Sequence, residues 1–137
     1  MEQSTSGVPM AQKHSPGFER ICEEARKNIK EVSIQDVKNE LDRKSDFVLI
    51  DVREDHEWNE GHLPHAMHLG KGIIERDIED RLPNVNTNLI LYCGGGYRSA
   101  LAAASIKLLG YNNVRSMAGG FRAWKEQNLP ISKDNKK

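Results

Sequence analysis

Two cysteines, Cys22 and Cys93, are all that the 137 residues contain, and they lie far apart in different contexts. A disulfide framework is therefore not expected, and a reduced intracellular compartment is the simpler reading. Net charge is missing too. Twenty basic residues offset twenty acidic ones with no dense basic stripe, which argues against nucleic acid as a partner. No apolar run approaches the roughly 18 residues needed to cross a bilayer. The N-terminal stretch has neither the apolar centre of a signal peptide nor the Arg-rich face of a transit peptide. These absences predict a cytoplasmic protein with no membrane partner, long enough to bury one core without disulfides or metals.

What is present divides the chain in three. Residues 1–17 are rich in Ser, Gly, Pro and Gln and read as a flexible tail, residues 18–131 as one domain, and residues 132–137 as a charged, frayed tail. Phe18, Ile21, Cys22 and Ala25 recur at helical spacing, predicting a short amphipathic helix over one edge of the domain. Ser33 with Asp36 three residues on reads as a capping box for a helix that buries Ile34, Val37 and Leu41. Strands are expected at Ile29 to Val32, Phe47 to Ile50, Ala66 to Leu69, Leu89 to Tyr92 and Asn113 to Met117. Helices between them follow from Glu54 to Asn59, from Ile73, Ile74, Ile78 and Leu82 ahead of Pro83, from the Ala-rich stretch ending near Leu109, and through Trp124. The alternation predicts an α/β fold with an open, mostly parallel five-stranded sheet, helices on both faces, and an extra N-terminal helix. Ligands of such sheets bind beyond the carboxyl ends of the strands, where Asp51 and Cys93 both fall.

Cys93 is the strongest candidate for chemistry. An apolar run, Leu89-Ile90-Leu91-Tyr92, stops at the cysteine; Gly94, Gly95, Gly96, Tyr97, Arg98 and Ser99 follow, and then the Ala-rich helix begins. Backbone N–H groups of a glycine loop at a helix N-terminus favour an anion at their centre. The same field favours the thiolate, the nucleophilic form of cysteine. Glycines at 94 to 96 can adopt positive φ and let successive N–H groups converge on a sulfur anion.

Three motifs resemble those of the single-domain rhodanese-like sulfurtransferases. They are Leu49-Ile50-Asp51-Val52-Arg53-Glu54 with Trp58 and Gly61-His62-Leu63-Pro64-His65-Ala66, then Cys93 to Ser99, and last Gly119-Gly120-Phe121-Arg122-Ala123-Trp124. The resemblance implies transfer of a sulfane sulfur through a persulfide on Cys93, with residues 94 to 99 as the substrate cradle and no cofactor. It implies a small donor, thiosulfate or a low-molecular-weight persulfide, and a thiophilic acceptor that extends to a protein. Two alternatives stand beside turnover: a relay that hands sulfur only to a protein partner, and a non-catalytic interaction module. A third is a cysteine phosphatase. Those resemble C-x5-R, whereas four residues separate Cys93 from Arg98, and the shorter loop favours sulfur over a phosphoryl group.

Other residues have blander readings. Arg98 either binds the substrate anion or pins the loop, with Asp51 as its expected partner; Asp51 and Arg53 are assigned to loop support. Arg53 is expected to orient Glu57 or another local acid, or to line the pocket mouth. His56, His62, His65 and His68 lack metal-ligand spacing, so no metal is expected. Trp58, Phe121 and Trp124 read as packing residues and Cys22 as a small buried hydrophobe. Tyr97 faces either the pocket or solvent. Because Gly94 and Gly95 carry no charge, the pocket is expected to be less cationic than a good thiosulfate site.

Overall fold

A computed structural model describes residues 14–133. The tail readings for residues 1–13 and 134–137 lie outside the described residues. The first helix, α1 (Pro16–Arg26), starts two residues before the expected Phe18, with Pro16 at the first helical position, where its fixed φ fits and no N–H is needed. The rest of the order is β1 (Lys30–Val32), α2 (Ile34–Asp42), β2 (Val48–Asp51), α3 (Asp55–Glu60), β3 (Met67–His68), α4 (Ile74–Arg81), β4 (Asn88–Tyr92), α5 (Tyr97–Leu108), β5 (Asn113–Met117) and α6 (Gly120–Glu126). The capping box holds: Asp36 N donates to Ser33 Oγ at 3.0 Å, and the Asp36 carboxylate accepts from Ser33 N.

The five strands pair in the order β1-β5-β4-β2-β3, and every pairing is parallel. β4 lies at the centre, and Leu89, Ile90, Leu91 and Tyr92 are all fully buried. Their side chains alternate between two cores, as the two-residue period of a strand requires. Leu89 and Leu91 join Ile78, Ala103 and Ile106 under α4 and α5, whereas Ile90 and Tyr92 join Ile34, Val37 and Trp124 under α2 and α6. Cys93 continues the first series. The pleat therefore sends its thiol to the α5 face and sends Tyr92, with its register partner Asp51, to the other.

The expected N-terminal helix, α1, packs along α5. The cause lies in α5, which buries Ala100, Ala102, Ala103 and Ile106 and half-buries Leu101 and Ala104, so its apolar surface wraps too far round for the sheet alone to cover. Cys22 and Ala25 of α1 fill the outer side.

Candidate active site

Cys93 sits at the end of β4, 1% exposed, beneath an open cavity of about 400 Å³. Two backbone N–H groups point at its sulfur: Gly96 N at 3.1 Å and Ser99 N, in the first turn of α5, at 3.3 Å. The Cys93 thiol donates to Ser99 Oγ at 3.5 Å, and Ser99 Oγ lies 2.8 Å from Ser116 Oγ on β5. A hydroxyl both gives and takes hydrogen bonds, so this buried Ser116–Ser99 chain accepts from a thiol and reverses to donate to a thiolate.

Of the three glycines only Gly96 takes positive φ (97°). Of the other two only Gly94 is confined, and a Cβ at Gly95 would make ordinary contact. A Cβ at Gly94 would lie 3.1 Å from Arg98 Nη2, and one at Gly95 would lie 3.6 Å from Arg122 Nη2. On the Cys93 sulfur itself the converging N–H groups are those of Gly96 and Ser99, the second supplied by the helix.

The partner of Arg98 is corrected. Arg98 forms a two-pronged pair with Glu57 of α3, at 2.9 and 3.2 Å. Asp51 lies on the opposite face of the sheet and is already saturated. It accepts from Arg53 N at 2.9 Å, Arg53 Nε at 3.0 Å, Arg53 Nη2 at 2.8 Å and Tyr92 Oη at 2.6 Å. Arg53 in turn donates to Gly61 O at 2.6 Å and lies over the Phe121 ring. The two residues tie the end of β2 to α3 and α6, outside the cavity. Burial, the Asp51 charge and the bond to it hold the Tyr92 phenol far above its ordinary range, so it stays a donor.

Partial burial opposes the charge on Glu57, but the bound Arg98 guanidinium and the Glu54 backbone N–H outweigh it, holding the carboxyl below its ordinary 4.5. The sign follows: the pair's stabilisation is complete above 4.5 and is lost as pH falls through the lower folded value. Both side chains are about three-tenths exposed, 31% and 27%, so at neutral pH the pair contributes about 1 kcal/mol or less. Urea unfolding of wild type and Glu57→Gln should show that gap at neutral pH and see it close well below pH 4.5; a gap independent of pH would contradict the assignment.

The third glycine-rich segment locks the loop from below. Phe121 N donates to Cys93 O at 2.7 Å and Arg122 N to Gly94 O at 3.0 Å. A Cβ on Gly120, at φ 60°, would lie 2.5 Å from Cys93 O and 2.6 Å from Gly94 O. Both obstacles are backbone, so they cannot swing aside. Gly120→Ala is expected to destabilise the fold by about 3 kcal/mol and to impair whatever chemistry Cys93 performs; a melting curve like that of wild type would refute this.

Several site residues escaped sequence reasoning. Phe18 of α1 and His14 just ahead of it line the cavity, and their rings lie 5.8 and 4.3 Å from that of Tyr97. Tyr97 therefore faces the pocket. Arg26, two turns further along α1, lies over the same ring at 4.7 Å and donates to Gly96 O at 3.3 Å. Phe18, Cys22 and Arg26 recur every fourth residue, a stripe visible in the sequence whose destination was not. Arg122 also lines the cavity. From α6 it brings a positive charge that residues 94 and 95 do not carry. Two of the four histidines serve packing, His62 and His68 stacking on Trp58 at 3.5 and 5.0 Å, whereas His56 and His65 are exposed. Among the described residues no three potential metal-ligating side chains converge.

A family model described as the rhodanese-like domain matches residues 33–127. YtwF of Bacillus subtilis, provisionally named a sulfurtransferase, is 31% identical over 104 residues, 74% of this chain and 96% of its own length. YrkF of the same organism, provisionally named a sulfur carrier protein, is 31% identical over 108 residues. That match covers 79% of this chain, which spans just over half (57%) of YrkF. Among solved structures, a Rhodopseudomonas palustris protein described as of unknown function and a possible tyrosine phosphatase superposes with a TM-score of 0.77 at 29% identity. It covers 92% of this chain and 100% of its own.

Proposed function

The chain belongs to the rhodanese-like sulfurtransferase family, and from that premise we propose that it moves a sulfane sulfur through a persulfide on Cys93. One observation carries the reading: two backbone N–H groups meet at a buried sulfur that faces an open cavity, with no histidine within hydrogen-bond distance of that sulfur among the described residues. A thiolate formed in such a cradle needs no general base at the moment of attack. With thiosulfate, the Cys93 thiolate attacks the outer sulfur; the new S–S bond forms as the old one breaks, and sulfite leaves with its electron pair. Charge balances, one plus two negative charges on each side, and no external oxidant is required. An acceptor then attacks the outer sulfur of Cys93–S–S⁻ and regenerates the thiolate. The Gly96 and Ser99 N–H groups and the Ser116–Ser99 hydroxyl chain offset the negative charge in both states.

Two details weigh against phosphoryl transfer. Four residues, not five, separate Cys93 from Arg98, and Arg98 is held by Glu57. The description of the Rhodopseudomonas structure concerns that protein. The test is thiocyanate formation from cyanide, with thiosulfate or glutathione persulfide as donor. Turnover is expected with at least one donor; none with either, from folded protein, would contradict catalysis. Sulfur loading without turnover would instead indicate a relay to a protein acceptor, the second reading, which the half-exposed Gly94 and Gly95 at the mouth favour.

A further inference from the structure

The cavity above Cys93 has two unlike sides. One is aromatic: Phe18 of α1 stacks on Tyr97, and His14, two residues ahead of that helix, packs at a tilt against both rings. The other is polar, with the Glu57–Arg98 pair and, beyond Gly95, the guanidinium of exposed Arg122. His14 and Phe18 lie outside the residues 33–127 that the family model matches, whereas Tyr97 lies within them. α1 is fixed there by several bonds: Arg26 to Gly96 O at 3.3 Å, Arg26 to Glu31 at 3.2 Å, and the Cys22 thiol to Tyr97 O at 3.7 Å.

We propose that this cavity selects a small organic persulfide bearing a carboxylate, with the His14–Phe18–Tyr97 wall taking its carbon skeleton and Arg122 its carboxylate. The inference rests on reading Cys93 as the sulfur carrier. A thiosulfate dianion has no carbon to set against three rings, and much of the positive charge nearest the sulfur, that of Arg98, is already offset by Glu57. A volume of about 400 Å³ falls within the range of small organic ligand pockets, roughly 300–1,000 Å³. Arg122 is the cation suited to a carboxylate, because its planar fork makes paired, charge-assisted hydrogen bonds. In the loading step the Cys93 thiolate attacks the outer sulfur of R–S–SH. The Cys93 S–S bond forms, the donor S–S bond breaks, and R–S⁻ departs with its electron pair and takes up the proton as R–SH, leaving Cys93–S–S⁻.

The test compares rates of sulfur loading onto Cys93 of the full chain, followed by intact mass. The donors are the persulfide of glutathione, that of its diethyl ester, and thiosulfate. Wild type is expected to load from the free acid about tenfold faster than from the ester, as one charge-assisted hydrogen bond would give. Arg122→Gln should bring that ratio close to one. Phe18→Leu, which keeps an apolar side chain for α1 packing, should slow both organic donors relative to thiosulfate. Arg122 is exposed, so its variant keeps the fold and the ratio stays readable even if the Phe18 variant unfolds. An acid-to-ester ratio unchanged by Arg122→Gln overturns the inference alone. Failure of Cys93 to load from any donor overturns the sulfur-carrier reading and this inference with it.

Discussion

Cys93→Ala should lower thiocyanate formation by at least about 10³-fold, the order by which deleting a covalent nucleophile lowers turnover in other enzymes. The loss is large because nothing nearby substitutes for it. Ser99 and Ser116 place hydroxyls in the same cradle, but both are fully buried and bonded to one another. Cys22 is fully buried on α1, where burial pushes its thiol above the ordinary range. Cys22→Ala should therefore retain activity within a fewfold of wild type, any loss coming from looser packing of α1 on Tyr97. Equal losses from the two substitutions would mean that the sulfur travels by another route.

The largest effect on stability is expected at Asp51. Its carboxylate is completely buried and holds three partners: the Arg53 backbone, the Arg53 guanidinium and the Tyr92 hydroxyl. Asp51→Ala strands a guanidinium that is only 5% exposed and leaves the Tyr92 hydroxyl without its acceptor. Removing one partner of a buried ion pair costs about 3–5 kcal/mol, because the survivor stays desolvated and unpaired. The urea midpoint should fall accordingly with the slope unchanged. Arg53 also braces Gly61 and Phe121, and Phe121 N–H holds the Cys93 carbonyl, so the damage should extend to activity. A change below about 1 kcal/mol would show that the pair is dispensable.

These assignments show what the sequence made legible. The five strands and the Cys93 junction could be read because apolar runs, glycines and capping residues are local signals. Asn113–Met117 matched residue for residue, and Ser33 with Asp36 marked a helix start to the position. Pairings across the sheet were not legible. Asp51 and Arg98 both suggested loop support, yet their partners are Arg53 and Glu57. The choice turns on which face of β2 carries the carboxylate, and that is set by register with Tyr92 rather than by distance along the chain. The same holds for α1. Its stripe predicted a buried face, but only the apolar breadth of α5 determines that this face meets Tyr97. Arg122 stood in a motif already singled out, and its reach over Gly95 depends on where α6 docks. Ser116 gave a fainter signal, a lone hydroxyl inside a strand with apolar neighbours at Val114 and Met117.

The central claim, that Cys93 carries sulfane sulfur, is tested most directly by intact mass before and after exposure to thiosulfate and to glutathione persulfide. A gain of one sulfur atom is expected, located on Cys93 by peptide mapping, removed by cyanide, and absent from Cys93→Ala. An unchanged mass with both donors, while the Cys93 thiol still reacts with an alkylating reagent, would contradict it.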